Sequence, residues 1–419
     1  MKKLFVSMGL IAAGTAGLQG AYAPDMNPVA GAKIWSVSGT LRGFYDDNYL
    51  TAAQKQGSAG FELSPQLDLN MALQQTELGL RYTYGMYYYQ ERENLGQDPI
   101  DQTHQFDLWV DHAFSERWQG KVLDSFVVGQ EPELIGGGQD KRVDGNNIRN
   151  TATLSLNTEW TRLWSTQLGY QNTIYDYENA NGTATDPSLA GTLNRIEQSV
   201  SLDLQMAVAR ETMAFIGGMF GWVDYTAGEP IAQYGPTTYY SDSRNNRSFF
   251  GYVGASHSML ANLSFNGRVG FQYTDSYNES GSTSLNPYAN LSLIYTYLPG
   301  CYAQLGFTQT ENASQTVTLN NQGQLTQYQD TSSLYASINH KLTPRLLGSI
   351  VGNWSHQVYN QGAYNNQADD FYNLGVNLSY SFNPHFSAEV GYNFDDLQSQ
   401  VPGNGYNRNR VYFGVSATY

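Results

Sequence analysis

Hydrophobic and polar residues alternate with a period of two along nearly the whole chain after its first two dozen residues, the pattern of half-buried strands. Trp35, Val37, Leu41 and Tyr45 alternate with Ser36, Ser38, Thr40 and Arg42. Leu63, Leu67, Leu69 and Met71 do the same against Glu62, Gln66, Asp68 and Asn70. The pattern recurs in Leu263 to Thr274, Leu374 to Phe382 and Phe386 to Phe394, and no sustained helical period appears. The connections alternate between short turns and long polar loops. Short turns fall near Gln75, Glu116, 157–162, 209–212, Ala261, Pro299, Pro344 and Pro384. Long loops fall near 48–60, 91–103, 131–147, 178–194, 227–246, 277–286, 314–330, 360–369 and 399–409. The rhythm predicts an all-β fold, a transmembrane antiparallel up-and-down β-barrel of about eighteen strands, with short turns on the periplasmic side and long loops outside. Closure predicts that the strand over 33–47 pairs with the strand over 410–419.

The chain ends on Val411 to Tyr419, apolar on one face and mostly small or polar on the other. A glycine five residues before a terminal aromatic, here Gly414 and Tyr419, resembles the assembly signal of outer-membrane barrels; Ala417 stands where a second aromatic is usual. At the other end Lys2 and Lys3 precede the apolar run Leu4 to Leu18, followed by Ala21-Tyr22-Ala23, which reads as a signal peptide over 1–23. A short periplasmic segment, 24–33, would lead into a barrel over 34–419. These features predict the outer membrane of a Gram-negative-type bacterium as the location.

Some segments fit less simply. In Gln119 to Gly129 either phase turns one charge, Lys121 or Asp124, toward lipid, so a bulge is expected there. Both faces of Met213 to Tyr225 are aromatic. Pro65 is expected at an irregular upper strand end.

Composition agrees with a polar-lined barrel. Charged residues are only 14% of the chain, against 41% hydrophobic, with 32 tyrosines and 42 glycines. The formal charge of −15 becomes more negative once Lys2 and Lys3 are removed, which disfavours nucleic acid as a partner. The single Cys301 has no internal disulfide partner.

The segments Val110 to Trp118 and Asp124 to Leu134 resemble the β-barrel porin family 2. The resemblance implies an outer-membrane barrel with a porin-like or exopolysaccharide-linked role, and brings no catalytic residues with it.

If the apolar faces meet lipid, the opposite faces line a lumen. Its clearest charges are then Glu62, Asp68, Asp107, Asp111, Asp203 and Glu389 against Arg42, Arg81 and Arg268, an acidic excess that predicts a mild cation preference. Trp109 lies between Asp107 and Asp111, an arrangement that can stack on a sugar ring while the acids accept its hydroxyl hydrogens. The 131–147 loop carries Glu131, Glu133, Asp140 and Asp144 together with Lys141 and Arg142, and is a candidate constriction. The pairs Asp46-Asp47, Asp369-Asp370 and Asp395-Asp396 could hold calcium or lipopolysaccharide-bridging ions, or be solvated loop charges.

The six histidines are scattered without metal-ligand spacing and no nucleophile motif occurs, so neither an enzyme nor a cofactor or resident metal is expected. The expected partners are outer-membrane lipid and lipopolysaccharide, the barrel-assembly machinery, and a small hydrophilic solute or glycan. The leading function is passive passage of such solutes, saccharides among them. An exit porin for an exopolysaccharide and a plugged structural or adhesive surface barrel are the alternatives.

Overall fold

The computed structural model describes residues 33–131, 141–143, 145–279 and 282–419. The segment read as a signal peptide lies outside them. The first half of the barrel runs β1 (Trp35–Asp46), β2 (Ser58–Ala72), β3 (Thr76–Tyr89), β4 (Ile100–Ala113), β5 (Trp118–Gly129), β6 (Asn147–Glu159), β7 (Trp164–Tyr177), β8 (Arg195–Ala209) and β9 (Thr212–Tyr225). A loop hairpin follows, β10 (Pro230–Tyr234) and β11 (Thr237–Tyr240). The second half runs β12 (Asn246–Leu260), β13 (Leu263–Asp275), β14 (Thr283–Leu298), β15 (Cys301–Ala313), β16 (Tyr328–Thr343), β17 (Leu346–Asn360), β18 (Ala368–Asn383), β19 (Phe386–Ser399) and β20 (Tyr406–Thr418). Apart from the hairpin, these strands form one 18-stranded antiparallel sheet.

The sheet closes on itself. β1 pairs with β20 from Ser38↔Thr418 to Asp46↔Arg410, and the Thr40 and Ser416 hydroxyls meet at 2.8 Å across the seam. Closure leaves no sheet edge in lipid, where an unpaired backbone group costs several kcal/mol. The expected strand count, the alternation of loop lengths and the seam are all present.

The pleat sorts the side chains. Trp35, Val37, Leu41 and Tyr45 on β1 and Val411, Phe413 and Val415 on β20 are exposed on the outer face. Ser36, Glu62, Asp68, Asn266, Gln272 and Asn353 are buried on the inner face. Trp35, Trp118, Trp160 and Trp164 stand exposed near the short-turn end, and Phe61, Phe220, Phe249 and Tyr273 near the long-loop end. These are the aromatic girdles of a lipid-facing band. In β9 the phase puts Phe215, Gly217 and Tyr225 inside and Ile216 and Phe220 outside.

Two local expectations are corrected. β5 has no bulge: its register runs unbroken against β4 and β6, with Lys121 opposite Asp111 and Asp124 opposite Leu108 and Ala152. The wall therefore turns Lys121 inward, where it pairs with Asp111, and leaves Asp124 facing lipid. Pro65 sits in the middle of β2, not at its upper end. It keeps its place opposite Gly39 on β1, while the ladder to β3 skips from Leu63↔Met86 to Gln66↔Thr83, because proline has no N–H to give.

One further irregularity lies at β15. Its ladder to β14 stops at Ala289↔Gln309, although both strands continue upward. There the Gln272 side chain of β13 substitutes for a strand: Glu311 N–H donates to its Oε1 (2.9 Å) and its Nε2 donates to the Glu311 carbonyl (3.0 Å). The Glu311 carboxylate accepts from Ser284 and Asn286 on the lumen side of β14, so the top of β15 sits inside the ring.

The seam gives a direct test. With Cys301→Ser as background, the pair Thr40→Cys and Ser416→Cys should form a disulfide on oxidation. Boiled without reductant, the oxidised protein should migrate as a cyclised chain, apart from the linear chain that reductant restores. Free thiols in the folded protein would contradict this register.

Candidate functional site

The inner face groups its charges into sectors. At the seam, the Arg42 guanidinium lies between two carboxylates: Nη1 donates to Glu62 at 2.7 Å and Nε to Glu389 at 2.5 Å. Gly414 makes room for this bridge, because a Cβ there would lie 2.8 Å from Arg42 Cγ and 3.1 Å from Glu389 Oε1. The glycine read as part of an assembly signal thus also has a packing reason. Asn377 completes the sector, donating to Glu389 (3.2 Å) and to the Tyr412 hydroxyl (2.8 Å). Tyr419 is exposed and leans on Trp35 at 5.8 Å between ring centroids.

The next sector spans β2 to β5. Asp68 accepts from Arg81 Nε at 2.8 Å and from Gln66 at 2.7 Å. Asp111 is held by Lys121 at 3.0 Å and Gln119 at 2.6 Å. Asp107 accepts from Gln105 and from Ser125 (2.8 Å), but no basic group among the described residues reaches ion-pair distance. The Trp109 indole occupies the space over Gly79, where a Cβ would fall 1.8 Å from its ring. Asp107 and Asp111 flank it two residues away on the same face.

Across the ring, Asp203 on β8 accepts from the Tyr252 hydroxyl at 2.7 Å and lies 3.6 Å from Arg268 on β13. Gly217 leaves the space in which Tyr252 and Asp203 meet. Arg268 sits 5.5 Å from the Phe215 ring and 5.1 Å from the Tyr252 ring, a cation between aromatic faces. The residues picked out from sequence therefore form several paired sectors around the wall and not one site.

Sequence reasoning missed the outer mouth. Arg408 and Arg410, within or next to a segment read as loop, are buried on the inner face of β20. Arg408 pairs with Asp395 at 2.6 Å, Arg410 with Asp46 at 2.9 Å, and both reach Glu131, at 2.9 and 3.4 Å. Burial alone would push the Glu131 carboxyl up, but the two guanidiniums outweigh it and hold it at about 2. Arg142 donates through Nη1 to the Tyr49 carbonyl (3.2 Å), through its N–H to Thr51 (2.8 Å), and through Nη2 to Asp101. Arg92 pairs with the other Asp101 oxygen at 2.7 Å. Lys141 donates to the Gly403 carbonyl at 3.3 Å, and Val143 packs against Tyr175, Tyr177 and Leu193. The ends of the 131–147 segment are thus tied to β20, β4, β7 and three other loops. Glu133, Asp140 and Asp144 lie outside the described residues.

The acidic pairs at the outer strand ends do not present two carboxylates to one ion. Consecutive strand positions face opposite ways, so Asp369 and Asp395 are buried while Asp370 and Asp396 point out. Asp46 is buried likewise, and Asp47 pairs with Lys55 at 2.6 Å beyond the end of the strand. No cluster of three potential metal ligands occurs among the described residues. The loops also interlock. The β10–β11 hairpin packs Ile231 and Ala232 on Leu325, and Arg244, fully buried, donates to the Thr192 and Ser314 carbonyls.

A closed barrel with an apolar outside and a polar, charge-paired inside is of the porin type. Residues 31–419 match the family described as Putative beta-barrel porin 2, and the chain belongs to that family. It is accordingly a porin-type barrel of the outer membrane of a Gram-negative bacterium. Among curated proteins none matches its sequence. Solved structures similar to it include OccAB4 of Acinetobacter baumannii, at 13% identity over 92% of this chain and 99% of that one, with a TM-score of 0.42. Another is the outer-membrane protein opdK of Pseudomonas aeruginosa, at 8% identity over 92% and 99%, TM-score 0.42. A variant of the ferric enterobactin receptor of Pseudomonas aeruginosa matches at 10% identity over 91% and 80%, TM-score 0.43.

The Glu131 tie has a defined pH range. Its carboxyl is lowered from 4.5 to about 2, so its contribution is complete above about 4.5 and is lost as the pH falls through about 2. Pepsin should therefore cut within 132–140 slowly at pH 3 to 4 and faster as the pH approaches 2. In Glu131→Gln the cutting should already be fast at pH 4. Equal cutting of both proteins at pH 4 would show that the tie does not hold the loop.

Proposed function

We propose that the protein is a passive channel for small hydrophilic solutes, saccharides among them, with a mild preference for cations. The observation that carries this reading is the inner wall. It is polar all round, through residues such as Asn266, Gln272, Asn339, Asn373 and Asn393, yet most of its basic groups are matched by carboxylates. A wide barrel with such a lining suits a water-filled lumen. Asp107 and Asp369 have no basic group at ion-pair distance among the described residues, and these two free acids on the wall are what the mild cation preference rests on, against Arg149, which likewise pairs with no carboxylate. Trp109 between Asp107 and Asp111 supplies the apolar platform and acceptors that a sugar ring uses. On this reading the pore is lined by Arg42, Glu62, Asp68, Arg81, Asp107, Trp109, Asp111, Asp203, Arg268 and Glu389, and the 131–147 segment narrows it. The outer aromatic girdles meet lipid and lipopolysaccharide, and Gly414 with Tyr419 addresses the barrel-assembly machinery.

One observation favours a second reading. The loops interlock over the mouth through Arg142, Arg244 and Leu325, as a plugged structural or adhesive barrel would require. An exit for a neutral exopolysaccharide uses the same wall; an anionic glycan would meet a lumen of the wrong sign.

Planar-bilayer recording separates these readings. The wild type should conduct and show a reversal potential of cation-preferring sign in a salt gradient. Asp107→Asn combined with Asp369→Asn should bring that potential toward zero, and deleting 132–140 should raise the conductance. Silence in both the wild type and the deletion would sink the channel reading and favour the plugged barrel.

A further inference from the structure

Asp124 is a carboxylate on the wrong side of the wall. It stands on the outer face of β5, in register between Leu108 and Ala152, with Val122 below it and Phe126 above. It lies six residues above Trp118 of the lower girdle. At the usual rise and tilt that is about 15 Å up a lipid-facing band of about 25 Å. It is not isolated. The register row through it continues as Ala152 on β6, Asn172 on β7 and Gln198 on β8. Asn150 Nδ2 donates to Asp124 Oδ1 at 3.0 Å, and the Tyr170 hydroxyl donates to Gln198 Oε1 at 3.1 Å. A polar stripe thus crosses β5 to β8, bordered by exposed Phe106, Leu154, Leu168 and Leu202.

Lipid tails can satisfy neither Asp124 nor Asn172, while Gln198 stands higher, by the upper girdle. The stripe carries both halves of a hydrogen-bonding surface: Asp124 offers acceptor capacity beyond the one bond from Asn150, and Asn172 and Gln198 carry amide donors. We propose that this stripe is the face on which a second copy of the chain docks within the bilayer. A two-fold axis along the membrane normal, passing beside the small Ala152, sets Asp124 of each copy against Tyr170 and Asn172 on β7 of the other. Donor and acceptor are then exchanged reciprocally, as an isologous contact requires. Polar contacts of this kind are what hold surfaces together in lipid, where apolar faces gain little from leaving the tails. The neighbouring Leu154 and Leu168 would pack around the polar centre.

The test uses the full-length protein in proteoliposomes with Cys301→Ser as background. Ala152→Cys should give a disulfide-linked dimer on mild oxidation. Ile350→Cys, on the lipid face of β17 on the other side of the ring, should not. Adding Asp124→Leu should lower the linked fraction by about tenfold, the scale of one or two polar contacts in lipid. Leucine suits a lipid-facing position, so the variant should fold, and an unchanged heat-induced mobility shift checks that it has. Linking at Ala152→Cys no greater than at Ile350→Cys would overturn the proposal. So would linking that Asp124→Leu leaves unchanged.

Discussion

Pairing of every backbone N–H and C=O inside the bilayer is the constraint on which this structure depends. A sheet in lipid cannot keep an edge, so the first strand must find the last, and β1 does so over its upper nine residues against β20. Closure then fixes the register of every strand between them, and register fixes which face each side chain takes. Proline at position 65 and the top of β15 show what happens where the ladder fails. Pro65 has no donor, so the ladder to β3 parts beside it. Above Gln309 the lost partner is replaced by the two ends of one glutamine amide, Gln272, which copies a strand's donor and acceptor.

The inside of the wall obeys a second constraint, that a charge away from bulk water needs a partner. Arg42 is shared between two glutamates, Arg408 and Arg410 between three carboxylates, and Arg268 between Asp203 and two rings. Glycines make these arrangements possible. At Gly79, Gly217 and Gly414 an added Cβ would run into the side chain crossing from a neighbouring strand. Glycine, which is usually poor in strands, is here the socket into which large inward side chains fit.

Much of this was legible in the sequence, for a physical reason. Strand alternation has a period of two and lipid rejects polarity, so Trp35 to Tyr45 or Leu374 to Phe382 announce their faces without help. The loops were less legible, because no solvent contrast marks them. Arg408 and Arg410 lie at every second position, a strand signal, but with Asn407 before them and Asn409 between them no apolar face appears until Val411. The β10–β11 hairpin is hidden in the same way. Asp124 was misread because a charge facing lipid looks like an error in phase, and a bulge is the cheapest repair. The wall keeps its register and exposes the charge, because shifting the phase would turn Lys121 outward in its place.

The ties at the mouth bear on how the lumen can behave. Glu131 keeps 21% of its side chain open, yet it bridges two guanidiniums that are almost wholly buried. Releasing it would leave Arg408 and Arg410 with one carboxylate each in a site built for a third. Breaking such a network costs about 3 kcal/mol or more, a population of the released form below about 1%. Arg142 adds a second tie about ten residues along the chain, through Asp101, Tyr49 and Thr51. Arg142 also donates to Gln130, the neighbour of Glu131, so the two ties belong to one network around the ends of this segment and loss of either weakens the other. Thermal motion alone therefore seldom frees Glu131 or Arg142 from its partners, so both described ends of the segment keep fixed places at the outer strand ends.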